Sequence, residues 1–455
     1  MSSHPAPLQT ESTHSSDQAP EHHLTLNEHR REDRKVAFAT LVGTTVEWYD
    51  FFIYSNAVAL VFGPLFFKPL AVENPFAAQL VGFATVGISF FFRPLGAMVA
   101  GHLGDRVGRK SKMVATLLLM GAATLVIGLL PTYSSIGMAA PVLLIALRVL
   151  QGFSAGGEWG GAALMAVEHA PAKRRGWFGG FPQVGVPLGM LVATGVLLTV
   201  RLVTTDQQFV EWGWRLPFLG SVVLIAVGLV IRMGISESPV FAELTDKHHP
   251  SLPVVAQVRS GGRQLVQAAL TFMGNGVVGY MIVGGFILAY TTGQHGLGLS
   301  STVMLNVITL ASACWIVFTL AAARLSDTIG RVRTYQLGFV LQILWGFPLF
   351  FLINTGSIVW ITVAVVVLTI PLGLTYGPQS ALFAELFPAR VRYSGAGLAY
   401  AIGSILGGAF APMIATWIMG TFHDSRGISA YLALFSAIAL VAVSTIRDRT
   451  GKSLG

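Results

Sequence analysis

The sequence predicts an all-α integral membrane protein with twelve transmembrane helices in two six-helix halves, and three observations lead there. Of 455 residues, 53% are hydrophobic and only 11% charged, with a mean hydropathy of +0.66. That composition lies far from a soluble domain's. Apolar segments long enough to cross a bilayer, which takes about 20 residues, recur twelve times. Lys and Arg gather in alternate loops, as they do when one side of the membrane retains them.

Residues 1–35 are polar and rich in Ser, His, Glu and Arg, without an apolar region or a small-residue cleavage site. They read as a disordered cytoplasmic tail and not as a signal peptide. Six apolar segments follow at 36–66, 76–100, 113–130, 139–167, 177–200 and 214–231, giving an N-terminal bundle over 36–231. The polar stretch 232–263 reads as a central cytoplasmic loop, too short for a domain of its own. Six more segments at 264–290, 301–323, 335–353, 357–383, 395–420 and 428–446 make the C-terminal bundle, 264–446, and 447–455 is a second cytoplasmic tail. Within these segments Gly176, Gly179, Gly180, Gly185 and Gly189 predict close helix contact in the fifth span. Pro371 and Pro378 predict a break in the tenth. Trp212 and Trp214 are expected to anchor the outer interface.

Of the 29 Lys and Arg residues, 23 fall in one set of loops and tails and four in the other, with Arg93 and Arg148 inside spans. Both termini are therefore expected in the cytoplasm, and the chain in the cell inner (plasma) membrane as a multi-pass protein. The pI near 9.7 is this retention signal, and the scatter of the basic residues argues against nucleic-acid binding. Cys314 is the sole cysteine, so no disulfide is expected. The histidines outside the tail, His102, His169, His248, His249, His295 and His423, lack ligand spacing, so no metal, cofactor or enzymatic chemistry is expected.

The two halves repeat one another. Gly101-His-Leu-Gly-Asp105-Arg106-Val-Gly108-Arg109 follows the second span, and Ala323-Arg-Leu-Ser-Asp327-Thr-Ile-Gly330-Arg331 follows the eighth. Glu168-x-x-Pro171-x-x-x-Arg175 and Glu385-x-x-Pro388-x-x-x-Arg392 follow the fourth and tenth. Repeated six-helix units are the architecture of alternating-access transporters, with the binding site near the midplane between them.

The paired Gly-x-x-x-Asp-Arg-x-Gly-Arg-type loops resemble the signature of the major facilitator superfamily. Further stretches resemble its metabolite:proton symporter family: Gly43-Thr-Thr-Val-Glu47-Trp-Tyr-Asp50-Phe, Phe92-Arg93-Pro94-Leu-Gly96, Arg148-Val-Leu-Gln151-Gly152 on to Gly157-Glu158-Trp159, Trp212-Gly-Trp214-Arg215-Leu-Pro217, and Arg392-Tyr393-Ser394-Gly395-Ala396-Gly397. The similarity runs from about Arg34 to Arg447 and is greatest to shikimate-type carriers. It implies a symporter working as a monomer in the bilayer, importing a small polar metabolite with protons. The cargo implied is an organic acid such as shikimate or an oxo or dicarboxylic acid. Symport of proline or betaine, a passive uniporter and a non-transporting membrane sensor stay open as alternatives.

Ionisable side chains at membrane depth are costly and mark functional sites. Glu47, Asp50 and Tyr54 lie at i, i+3 and i+7 in the first span, and Arg148, Gln151 and Glu158 at i, i+3 and i+10 in the fourth, so each set forms one helical stripe. Two polar stripes imply two helices lining one cavity, and the simplest pairing sets Asp50 or Glu47 against Arg148. Protonation of the acid would release Arg148, whose guanidinium could then take a substrate carboxylate; the same pair also reads as a structural tie. That gives Asp50, Glu47 and Glu158 as proton-coupling candidates, and Arg148, Gln151, Tyr54 and Arg93 as substrate-binding ones. Asn275, Tyr280, Tyr376 and Gln379 of the second half join the latter set, with Gln342 and Tyr400 as further polar positions. The loops are candidate gates. Asp105 and Asp327 can accept from a helix N-terminus or pair with loop arginines, Gly108 and Gly330 permit the turn, and Glu168 with Arg175 and Glu385 with Arg392 add contacts.

Overall fold

The computed structural model describes residues 26–107, 109–156, 158–233, 253–283, 285–293, 296–388, 391–452 and 454, and it is helical throughout apart from short turns. Ten helical stretches are long and apolar enough to cross a membrane, an eleventh is bent by 51° at Trp214, and a shorter apolar helix, Val114–Leu129, supplies a twelfth. In chain order the helices are α1 (Leu26–Ala57), α2 (Pro75–Val107), α3 (Arg109–Leu129), α4 (Ala139–Ala155) and α5 (Glu158–Glu168). There follow α6 (Arg175–Val203), α7 (Arg215–Met233), α8 (Pro253–Val283), α9 (Phe286–Thr292), α10 (Ser301–Ile329) and α11 (Arg331–Ile353). The last are α12 (Ile358–Tyr376), α13 (Gln379–Leu386), α14 (Arg392–Gly403), α15 (Ala411–Phe422) and α16 (Arg426–Ser444). Four spans are pairs: α4 with α5, α8 with α9, α12 with α13, and α14 with α15.

Two boundaries differ from the sequence reading. Helix α1 begins at Leu26, ten residues inside the expected tail, because Leu26-Asn-Glu-His-Arg-Arg-Glu-Asp-Arg-Lys35 is polar yet made largely of good helix formers with charges spaced to interact. Helix α8 starts at Pro253, within the expected central loop, and kinks at Gly261, whose φ of −137° is not helical. Residues 1–25 and 234–252 lie outside the described residues.

The tenth span breaks at Gly377-Pro378, as expected of Pro378, while Pro371 lies inside the unbroken helix Ile358–Tyr376, and the fourth span also breaks, after Ala155. The fifth span uses its glycines on two faces. A Cβ at Gly180 would stand 2.6 Å from Ala323 Cβ, while one at Gly185 would stand 2.6 Å from Thr44 Cβ, so α6 lies close to α10 on one side and to α1 on the other. Trp214 is buried against Phe62, Phe66 and Phe218, while Trp212 is exposed, so only Trp212 fits an interfacial anchor. The bend at Trp214 turns its ring inward.

The second and fourth spans cross in backbone contact. A Cβ on Gly152 would lie 2.0 Å from Ser89 O, and one on Gly156 1.9 Å from Arg93 O. The i, i+4 pair on α4 and its extension thus meets an i, i+4 pair on α2, setting Ser89 and Arg93 beside Arg148 and Gln151. Gly152→Ala should force α2 and α4 apart at a cost of about 1–3 kcal/mol. Gly195→Ala, in the same bundle with open space around it, should be neutral or slightly stabilising. Thermal unfolding of the purified variants in detergent measures this, and equal midpoints would show that the crossing does not constrain the fold.

Candidate functional site

Arg148 is 2% exposed and fully engaged. Its Nη1 donates to Gln151 Oε1 at 2.8 Å, and its Nη2 to Ser89 Oγ at 2.9 Å and to Val86 O at 3.3 Å. Its Nε reaches Thr85 O at 3.4 Å. The guanidinium carbon lies 3.9 Å from the Tyr54 ring centre, a cation–π contact, and the Tyr54 and Thr85 hydroxyls share a 2.6 Å hydrogen bond. Gln151 Nε2 in turn donates to Thr124 Oγ1 at 2.7 Å. The network ties the first four spans together.

Beside it is a small pocket, with room for about one water. Both polar stripes read from the sequence face it, through Glu47, Asp50 and Phe51 on α1 and Arg148, Gln151 and Gly152 on α4, joined by Ser89 and Arg93 on α2 and Met120 on α3. The side chain of Glu158 lies outside the described residues. The expected ion pair between Arg148 and an acid of α1 is not formed. Arg148 takes neutral acceptors, and Glu47 lies 3.9 Å from Nη2 of Arg93. Arg93, 5% exposed, lies with its guanidinium carbon 4.4 Å from the Phe90 ring centre and 5.7 Å from that of Trp48. The polar groups facing Asp50 are Thr124, Arg148 and Glu47.

The C-terminal half caps this cavity with aromatic surface. Tyr280 of α8 has its ring centre 5.3 Å from Phe90, 5.6 Å from Phe51 and 6.3 Å from Trp48. Trp159 stacks on Tyr400 across the halves at 4.0 Å, and Gln183 Nε2 donates to Ser380 Oγ at 2.8 Å. Tyr376 packs edge-on to Trp315. Asn275 and Gln379 bond mainly to their own half: Asn275 Nδ2 donates to Gln379 Oε1, Thr375 donates to Asn275 Oδ1, Gln342 donates to Thr375, and Ser436 donates to Gln342 Oε1. Their polar atoms are thus largely satisfied without a ligand.

Sequence reasoning missed Ser89, Phe90, Thr124, Trp48 and Trp159. Ser89 carried a usable signal, standing one turn from Arg93 on the same helical face. The others are common residue types whose role depends on which helix crosses them.

At the end of the bundle rich in Lys and Arg, the repeated loops bind across the halves. Asp327 accepts from the backbone N–H groups of Gly176 and Trp177, at 2.8 and 2.9 Å, at the N-terminus of α6. It also pairs with Arg331 at 2.7 Å, and Arg331 reaches Glu385 at 3.5 Å. Gly330 has φ +101°, the left-handed turn expected of it. The pairs expected within each loop are rearranged: Glu168 meets Arg392 of the other half at 3.3 Å, Glu385 stays with Arg331 of its own half, and Arg175 donates to Lys452 O at 2.5 Å. Glu168 with Arg392, Arg175 with Lys452 and Asp327 with the N-terminus of α6 cross between the halves, while Arg331 holds Asp327 and Glu385 within the second. Gly101, Asp105, Arg106, Gly108 and Arg109 lie, wholly or in their side chains, outside the described residues. At the opposite end Arg201 of α6 donates to Ser301 of α10, so the halves touch at both ends as well as at the centre.

A family model described as Major Facilitator Superfamily matches residues 40–412. The inner membrane metabolite transport protein YhjE of Escherichia coli (strain K12) is 39% identical over 423 residues, covering 92% of this chain and 95% of that protein. The shikimate transporter of the same organism is 38% identical over 426 residues, 91% and 94% of the two chains. A putative proline/betaine transporter of Staphylococcus aureus (strain COL) is 31% identical over 427 residues, 93% and 90% of the two. Among solved structures, the proton:xylose symporter XylE bound to 6-bromo-6-deoxy-D-glucose superposes with a TM-score of 0.73 at 17% identity, covering 94% of this chain and 98% of its own, a likeness of fold.

The ties at the basic end generate a prediction. Asp327→Ala removes both acceptors from the N-terminus of α6, and losing about 1 kcal/mol of ties implies about a fivefold shift in the opening equilibrium. With Cys314→Ser as background and Ser380→Cys as a buried reporter between the halves, thiol alkylation should speed up by about that factor. An unchanged rate would show that Asp327 does not hold this end closed.

Proposed function

We propose that this chain, which belongs to the Major Facilitator Superfamily, is a symporter that imports a small organic acid together with protons by alternating access. Membership makes it a multi-pass membrane transporter with the twelve-helix fold. The coupling and the cargo are our reading. One observation carries it: two acids and two arginines, all at most 5% exposed, gather in one cavity of the N-terminal half, directly beneath an aromatic cap from the other half. Charges held at such depth are costly unless they serve transport or a structural tie. Here only Arg148 has the dense acceptor set of a tie. That leaves Arg93 to meet an anion and Glu47 and Asp50 to exchange protons.

Alternating access supplies the cycle. Ties at the two ends, Asp327 with the N-terminus of α6 at one and Arg201 with Ser301 at the other, would open in turn around the central cavity. The distribution of Lys and Arg supports termini in the cytoplasm and a basic end that opens inward. A zwitterion such as betaine finds some support in the Trp48, Phe51 and Phe90 rings. However, the Arg93 guanidinium already covers the Phe90 ring at 4.4 Å, leaving a cation poorly placed there.

Proteoliposomes carrying the purified protein, given shikimate, 2-oxoglutarate or glycine betaine with the interior alkaline, should accumulate an organic acid above its external concentration. A protonophore should abolish the accumulation while leaving downhill equilibration intact. Accumulation that survives the protonophore and requires sodium would replace the proton with another ion.

A further inference from the structure

Helix α11 opens on a glycine where a capping side chain ordinarily sits. The first N–H groups of a helix need acceptors from outside it, and Gly330 has no side chain to offer. They come instead from the segment that follows α16. Thr450 Oγ1 accepts from Arg331 N at 3.2 Å, and Asp448 Oδ2 from Val332 N at 3.1 Å. Asp448 Oδ1 also accepts from the hydroxyl and the N–H of Thr450, at 2.6 and 2.9 Å, which fixes the turn of the segment itself. Gly330 is required here on two counts. Its φ of +101° is disfavoured for other residues, and a Cβ on it would stand 2.5 Å from Asp448 Oδ2. A carboxylate from the tail fills the place of the missing side chain.

Docked on the second half in this way, the tail turns at Gly451, with φ +76°, and presents the carbonyl of Lys452 to Nη1 of Arg175, the first residue of α6 in the other half. The next two residues of α6, Gly176 and Trp177, are those whose N–H groups donate to Asp327. The N-terminus of α6 is thus gripped from two sides, by the loop and by the tail. A ring of contacts closes through Asp327, Arg331, Asp448, Lys452 and Arg175. Resting on alternating access, but on neither the cargo nor the proton, we infer that residues 447–452 are a working part of the gate at the basic end: a strap fastened to the second half by Asp448 and Thr450, which holds α6 through Arg175 and favours the closed arrangement. Because the strap is bonded to α11, it travels with the second half, and opening this end breaks the bond to Arg175 together with those to Asp327. The donor is a guanidinium, which makes the bond a charge-assisted one. The acceptor is a main-chain carbonyl, so the strap acts through its position and not through the exposed side chain of Lys452.

Thiol alkylation of Ser380→Cys in the Cys314→Ser background reads opening without cargo or gradient, and it serves as the parent for the test. Ending the chain after Ile446 should speed alkylation about fivefold, and so should Arg175→Ala, each removing one end of a hydrogen bond worth about 1 kcal/mol. Together they should do no more than the larger single effect, because both break the same contact. Gly451→Ala keeps every other side chain of the tail, and its Cβ meets open space. It disfavours only the left-handed turn that aims the Lys452 carbonyl, and should raise the rate part of the way, about threefold. Lys452→Ala should alkylate at the parent rate. Gel filtration and unfolding midpoints establish which variants are folded; should the truncated chain not fold, Gly451→Ala takes its place beside Arg175→Ala in the double variant. Parent rates in both Arg175→Ala and Gly451→Ala, effects that multiply in the double variant, or a Lys452→Ala rate equal to that of the truncated chain would each overturn the strap. A parent reporter that is never alkylated would instead sink alternating access, and the strap with it.

Discussion

The structure around the cavity depends on one requirement, that the guanidinium of Arg148 be kept in a medium that does not hydrate it. An isolated cation at that depth is disfavoured by several kcal/mol, and the protein answers with acceptors from three directions. The Thr85 and Val86 carbonyls lend second lone pairs, Ser89 and Gln151 lend side-chain oxygens, and the Tyr54 ring covers one face. To bring these together α2 must run against α4 at backbone distance, which Gly152 and Gly156 permit. That same contact puts Arg93 one turn further along the crossing from Ser89. The fixed arginine therefore determines where the second one stands, and with it the position of Glu47.

Much of the architecture was legible because hydropathy and loop charge are local properties. Spans, the break at Pro378 and the glycine faces of α6 are each written in short stretches of sequence, whereas Pro371 is carried inside a continuous helix and the break after Ala155 has no such mark. Partners across the fold were not. Helical spacing showed that Glu47 and Asp50 share a stripe, and that Arg148 and Gln151 share another, but spacing carries no information on the depth at which two helices cross. A shift of one turn decides whether an acid meets Arg148 or Arg93. The pairing of Glu168 with Arg392 of the other half, and of Glu385 with Arg331, was hidden for a related reason. Two copies of one motif allow pairing within a copy or between copies, and docking of the halves selects. Trp214 likewise depended on the 51° bend beneath it, which turns an expected interfacial anchor into a core residue.

The two halves contribute unequal chemistry to the centre. The N-terminal half supplies the charges, whereas the C-terminal half answers with tyrosines and with an amide and hydroxyl network, Gln379 to Asn275 to Thr375 to Gln342 to Ser436. A neutral network bonded within its own half, with only Gln379 Nε2 unpartnered among its side-chain atoms, can keep its partners if the half moves. Confining the ions to one half would have the same effect, because among the described residues no ion pair at the centre joins the two halves. The central contact instead consists of rings, with Tyr280 against Trp48, Phe51 and Phe90 and Trp159 on Tyr400.

Ring contacts and ionic ties behave differently under displacement, and the fold places each where that difference is useful. Aromatic surfaces gain mostly from burial and tolerate several relative orientations with modest changes in energy. Rocking about the centre is therefore cheap. A carboxylate capping a helix N-terminus, as Asp327 caps α6, is either seated at 2.8 Å or lost. In the proposed cycle such ties at the ends would give discrete open and closed arrangements, while the rings between them would act as a bearing. The small side chains that line α6 where it passes α10 extend that bearing to the basic end, since a glycine face offers no protruding side chain to catch. A transporter of this form needs both kinds of contact, because ionic ties alone would lock it and ring contacts alone would leave it with no preferred states between which to alternate.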